Sequence, residues 1–270
     1  MRMENAVRFE KIGLGKRIKS MLKVDFRRML RSRIFYILIA CALVMPILMT
    51  VMMSMMDGSV SVNPQTGEET IMKGPENAWQ NIGTLPGGAL DGDEIFMMCN
   101  INMAFMGVAV FVCLFISDDF RSGYAKNLFT VRAKRGEYVV SKTVVGFICG
   151  ALMLIAYLIG SVLGGAISGL SFDLYGLNAG NIVMCMLAKI FLMLVFVSIF
   201  TLISVAAKQR AWLSICGSLG GGMLLFMMVS MITPLGSTFI NVVLCIAGGA
   251  MFAFGLGAAS KAVLRKTSLV

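Results

Sequence analysis

The chain has 270 residues, of which 58% are hydrophobic and only 14% charged, and its mean hydropathy is +0.84. A soluble domain carries roughly 25% charged residues, so an ordinary globular enzyme and a disordered chain are both excluded and a polytopic membrane protein remains. The complete lack of histidine also removes Ser–His triads, imidazole acid–base chemistry and the commonest metal ligand, which leaves the placement of the +10 formal net charge as the next thing to read.

The first 33 residues hold eleven Lys/Arg. Among them Leu14, Ile18, Met21, Leu22, Phe26, Met29 and Leu30 recur at helical spacing. Lys16, Arg17, Lys19, Lys23, Arg27 and Arg28 fill the other side. This pattern predicts an amphipathic helix lying in the membrane interface and turning into a span at an elbow. The basic lead is too long, and the apolar run behind it too full, for a secretory signal peptide, so none is expected.

A span needs about 20 apolar residues. Six runs qualify: 34–56, 95–117, 138–160 (apolar on to 170), 182–207, 211–233 and 238–259. Each must be helical, because lipid offers backbone groups no water to bond. Gly160, Gly164, Gly165 and Gly169 are expected to let the third run bend or unravel near its outer end. A turn at 234–236 predicts a tight hairpin of the fifth and sixth runs. The fold class is thus an all-α integral membrane protein with six transmembrane helices and an N-terminal amphipathic elbow, one domain over residues 1–270.

Of the 24 basic residues, 22 fall on one side of these spans: the first 33 residues, the 117–142 loop, Lys208, Arg210, Lys261, Arg265 and Lys266. The other side holds only Lys73 against eight acids: Asp57, Glu68, Glu69, Glu76, Asp91, Asp93, Glu94 and Asp173. The positive-inside rule then puts both termini in the cytoplasm and the chain in the plasma membrane. The basic charge reads as topogenic charge beside anionic lipid headgroups, with no nucleic-acid partner. The outer loop 57–94 is polar, turn-rich and too short for a core of its own. A passive connector and a lid over an exit path are both open readings.

Seven cysteines lie isolated within the runs, with no C-x-x-C, so neither zinc nor a disulfide framework is expected. The pairs Gly160/Gly164, Gly165/Gly169, Gly217/Gly221 and Gly255/Ala259 have the small-x-x-x-small spacing of close helix packing. Residues 136–143 approach a phosphate-binding loop, but Ser141 replaces its second glycine and the segment runs into a span. No nucleotide site, catalytic residue, metal or cofactor is expected in this chain. No carboxylate lies inside a predicted span, which weighs against proton coupling. Lys189, the one charge inside a run, is expected to snorkel outward, with an inter-helix or substrate-carboxylate contact as the alternative. Methionine numbers 24. Met45, Met49, Met52, Met103, Met106, Met223 and Met227 are candidates for a greasy substrate path, against the plainer reading of packing and lipid-facing residues.

The loop 118–137 is too short for a domain. It predicts one short helix, about 122–129, carrying Tyr124, Leu128 and Phe129 as apolar knobs beside Arg121 and Lys126, a peg suited to a groove on a cytosolic partner. Asp119, then Gly123, then Lys126-Asn127-Leu128, then Arg135, Tyr138 and Lys142 resemble the loop between the second and third spans of ABC-2-type transporter permeases. The layout of elbow, six spans and large first outer loop is similar too. The resemblance implies an ABC-2-type (type V exporter-like) transmembrane domain. It implies a permease that pairs with a second copy or paralogue and with two copies of a cytosolic ABC ATPase, which carries ATP and Mg. It also implies that Asp119, Arg121, Gly123, Tyr124, Lys126, Leu128, Phe129 and Arg135 couple the two. The short 231–238 link departs from family members that place a re-entrant helical pair there. Size and Met-rich spans are similar to exporters of amphipathic peptides such as bacteriocin or phenol-soluble-modulin systems, which implies a hydrophobic or amphipathic, peptide or drug-like cargo. An ion-coupled carrier and a non-transporting membrane scaffold are the competing classes.

Overall fold

The computed structural model describes residues 13–62, 69–71, 73–84, 100–131, 135–174 and 176–266. Helix α1 (Leu14–Arg31) buries Met21, Asp25 and Met29 and turns its basic side outward. It stops at Ser32, whose extended backbone (φ −77°, ψ 124°) breaks the helix before α2 (Arg33–Met55) begins. Pro46 sits inside α2 and lacks the N–H that a helix interior uses. One turn on, the Thr50 hydroxyl donates to the Pro46 carbonyl at 2.6 Å and itself accepts from Asn81 Nδ2 at 2.7 Å.

After α2 comes a two-stranded antiparallel hairpin, β1 (Val60–Val62) and β2 (Glu69–Ile71), with Val60 opposite Ile71. A 3-10 turn, Ala78–Asn81, follows, capped by Asn77, whose side chain accepts the Trp79 N–H at 2.9 Å. It is tied to the next inter-helical loop: Asn77 Nδ2 donates to the Asp173 carbonyl at 2.6 Å, and Trp79 meets Phe172 edge-on. The 77–81 part of this segment is therefore packed onto the bundle, while Val60 and Ile71 of the hairpin are exposed. The calls on residues 85–94 and on Cys99 lie outside the described residues.

The bundle continues with α3 (Met103–Arg121), the short α4 (Tyr124–Val131), α5 (Arg135–Ile167), α6 (Ala179–Ala207), α7 (Ala211–Ile232) and α8 (Phe239–Lys266). Helices α2, α3, α5, α6 and α8 are long and apolar enough to cross a membrane; the described apolar stretch of α7, Ala211–Phe226, is shorter. Helix α6 is central, packing against α3, α5, α7 and α8, while α2 lies along α5. Phe105, Phe111, Cys149, Met193 and Phe200 fill the core. Helix α8 leaves Phe239, Ile240, Leu244, Met251 and Phe254 exposed, an outward apolar face.

Two expectations need correction. Helix α5 is not interrupted at Gly160, Gly164 or Gly165. It runs unbroken for 33 residues to Ile167, and Gly160 and Gly164 serve packing instead. A Cβ at Gly160 would meet the Leu43 carbonyl oxygen at 2.2 Å, and one at Gly164 would meet the Ile47 Cα at 3.0 Å, so only glycine lets α2 come this close. Two residues past its end stands Gly169, whose φ of +66° suits a residue without Cβ. The link between α7 and α8 is short, as expected, but the two helices do not form a packed hairpin, because α8 lies along α6.

Candidate functional site

The end of the bundle that carries α4 is held by an ion cluster built from three helices. Helix α1 contributes Asp25 and Arg28, α3 contributes Asp119 from its last turn, and α5 contributes Tyr138, Ser141 and Lys142 from its first two turns. Asp25, Asp119 and Lys142 are fully buried. Lys142 Nζ lies 2.8 Å from Asp25 Oδ1 and 2.6 Å from Asp119 Oδ2, bridging both carboxylates. The Ser141 hydroxyl donates to Asp25 at 2.6 Å and the Tyr138 hydroxyl to Asp119 at 3.0 Å. Arg28 Nη1 is 2.6 Å from Asp119 Oδ1, and its other nitrogen reaches Asp118 at 3.5 Å. A neighbouring pair, Arg17 and Glu137, ties α1 to α5 again at 3.2 Å.

The charges are balanced, with Lys142 and Arg28 against Asp25 and Asp119. Aromatic rings close the remaining approaches. Phe115 lies 4.2 Å from Lys142 Nζ, and the Arg28 guanidinium sits 4.4 Å over Tyr124. Burial alone would lower the Arg28 pKa, but Asp119 and Asp25 outweigh it and raise the value, so its charge is fixed. Burial and the same carboxylates raise the Tyr124 pKa, which keeps it a neutral phenol. Removing one member of such a group strands an uncompensated charge, so α1, α3 and α5 move together or pay desolvation.

Helix α4 is mounted directly on this cluster. Gly123, at φ +75°, allows the reversal between α3 and α4. Ala125 is fully buried, and Leu128 and Phe129 are half-buried against the core. Phe129 meets Tyr138 edge-on at 5.3 Å, and Arg135 lies over Phe129 while its guanidinium donates to the Leu264 carbonyl on α8. The expected helix is present over Tyr124–Val131, but its apolar knobs do not point outward. Leu128 and Phe129 lie half-buried against the bundle, Phe129 on Tyr138, and the exposed positions of α4 include Lys126, Asn127 and Thr130. Asp119 faces the cluster, not a partner.

Four of the seven methionines singled out by sequence come together. Met45 and Met49 of α2 and Met103 and Met106 of α3 line one apolar cavity of about 330 Å³ with Met153 and Tyr157 of α5 and Leu219 of α7. Met52 and Met223 are exposed elsewhere on α2 and α7. The Met227 side chain lies outside the described residues.

Lys189 does not snorkel. It is fully buried, and its Nζ donates to Asn102 Oδ1 at 3.1 Å and Thr233 Oγ1 at 2.9 Å, joining α6 to α3 and α7. It is the inter-helix contact held as the alternative. Sequence reasoning missed Asp25 altogether. The signal was present: Asp25 follows Met21 by four and precedes Met29 by four, on the apolar stripe of α1, where a carboxylate must find a cation.

Comparison with known families gives one result. A family model described as ABC-2 family transporter protein matches residues 21–224. No curated protein and no solved structure matches.

Proposed function

The chain belongs to the ABC-2 transporter family, and from that premise we propose that it is the permease of an ATP-driven exporter for hydrophobic or amphipathic cargo, peptide or drug-like. It is a multi-pass membrane protein, and permeases of this family work with an ABC ATPase that hydrolyses the nucleotide. Our reading gives it six spans, with α7 as the fifth. Helix α1 lies as an elbow in the inner leaflet, both termini face the cytoplasm, and a second permease copy and two ATPase copies complete the assembly.

The observation that carries this reading is the seating of α4 on the buried ion cluster. A helix that must pass a push from a soluble motor to membrane helices needs a stiff mounting. Fixed, desolvated ion pairs supply one, because displacing any member costs several kcal/mol. In this reading Lys126 and Asn127 meet the ATPase. Leu128, Phe129 and Arg135 hold α4 to α5 and α8, Gly123 and Tyr124 set its angle, and Asp119 passes the displacement to α1 and α5. The methionine cavity between α2, α3 and α5 is the greasy wall along which cargo moves, its thioethers adapting to varied apolar shapes.

The test is ATP-dependent uptake of a fluorescent amphipathic peptide into inverted vesicles containing the chain with its ATPase. Uptake that requires ATP and is lost with Lys126→Glu supports the proposal. Uptake driven by a proton gradient alone, or persisting without the ATPase, refutes it.

A further inference from the structure

A second groove, of about 400 Å³, opens beside the ion cluster between α1, α2, α3 and the start of α7. Its polar rim includes Arg31, Arg121 and Gln209, and its floor is Ile34, Phe111 and Leu114. The two arginines lie in the last turns of α1 and α3. Neither takes part in an ion pair among the described residues. Arg28 also reaches this groove, but its charge is already matched by Asp119 and by Asp118, the one acid among the described residues of the rim.

Two further observations point to an anion. Helix α7 begins at Ala211, on the groove wall, and its N-cap residue Arg210 supplies no side-chain hydrogen bond, so the positive end of a 22-residue helix meets the groove without a cap. Ser117 also lines the groove. It is 3% exposed, and its hydroxyl has no hydrogen-bond partner, where buried hydroxyls normally have one. Two guanidiniums without an ion-pair partner among the described residues and an uncapped helix start border an apolar floor, and the Ser117 hydroxyl lies buried without a partner in the wall.

We propose that this groove binds the phosphate headgroup of an anionic phospholipid, with an acyl chain lying over Ile34, Phe111 and Leu114. Arginine suits the role, because its planar fork grips phosphate oxygens in pairs. The apolar floor separates a lipid from a free phosphate ion, which has nothing to place there. Bound at this point, the lipid touches the ends of α1 and α3 that the ion cluster joins.

Trp212, the second residue of α7, is 67% exposed next to the groove wall, and the chain has only two tryptophans. Trp79→Phe therefore leaves one local reporter. The experiment measures Trp212 fluorescence in full-length protein reconstituted in phosphatidylcholine with brominated phosphatidylglycerol, and separately with brominated phosphatidylcholine, at equal mole fraction. The expected result is preferential quenching by the anionic lipid, reduced roughly tenfold in apparent affinity by Arg31→Gln with Arg121→Gln and severalfold by Ser117→Ala. Equal quenching by the two lipids, or unchanged preference in the arginine variant, overturns the proposal. So does loss of preference with inorganic phosphate but not with chloride at matched ionic strength, which assigns the groove to a soluble anion. Absence of quenching by either lipid also overturns it, since a protein surface then covers the groove.

Discussion

Lys142 and Lys189 are both fully buried on long apolar helices, at opposite ends of the bundle, and their company differs. Lys142 lies within 2.8 Å of two carboxylates. Lys189 is met by an amide oxygen and a hydroxyl, both neutral. A matched ion cluster resists the loss of any member, because what remains is an unbalanced charge in low dielectric. A cation held only by dipoles has no counter-ion to strand, and its partners keep other bonds: Asn102 Nδ2 to Ser230 at 2.8 Å and the Thr233 hydroxyl to the Val229 carbonyl at 2.6 Å. The first arrangement suits a joint that transmits force. The second suits helix registration.

This contrast is open to direct attack. Lys142→Met should have the largest effect, destabilising the chain by about 3–5 kcal/mol, read as a fall in thermal unfolding midpoint in detergent. Adding Asp119→Asn to it should return part of that loss, since one stranded charge is removed. Gly160→Ala, away from either lysine, should cost about 1–3 kcal/mol through its clash with the Leu43 carbonyl, which bounds what pure packing contributes. Tyr138→Phe removes one hydrogen bond to Asp119 and should cost about 1–2 kcal/mol. Lys189→Met should sit at the small end, within about 1 kcal/mol of wild type and tending to stabilise. If its unfolding midpoint falls as far as that of Lys142→Met, the two lysines are not different in kind. Lys126→Glu should leave the midpoint unchanged within about 0.5 kcal/mol while weakening capture of the ATPase in a pull-down.

The elements were largely legible in the sequence because apolar runs and helix periodicity are local properties. The α4 helix was legible for the same reason, though it begins at Tyr124 and not at 122 because Gly123, at φ +75°, forms the reversal before it. The direction of its apolar face was not. Leu128 and Phe129 are equally suited to a partner's groove and to Tyr138, and only the tertiary position of α5 decides between them. The burial of Asp119 is likewise set by tertiary approach, since Arg28 and Lys142 reach it from α1 and α5. Lys189 misled because a lone cation near a run's end has a low-energy escape to the surface, and nothing in the sequence shows that Asn102, 87 positions away, closes it off. The methionine cavity was half visible: composition marked α2, α3 and α7, whereas the contribution of Met153 depends on how α5 packs.

The central claim is that α4 drives the membrane helices through the Lys142–Asp119–Arg28 cluster. Its most direct measurement is the ratio of peptide transported to ATP hydrolysed in proteoliposomes, for wild type and for Asp119→Asn, with assembly checked by co-purification. Among molecules that fold and co-purify with the ATPase, the account predicts that transport per ATP falls severalfold, because the lever turns without its linkage. A wild-type ratio in the folded, assembled variant would contradict it.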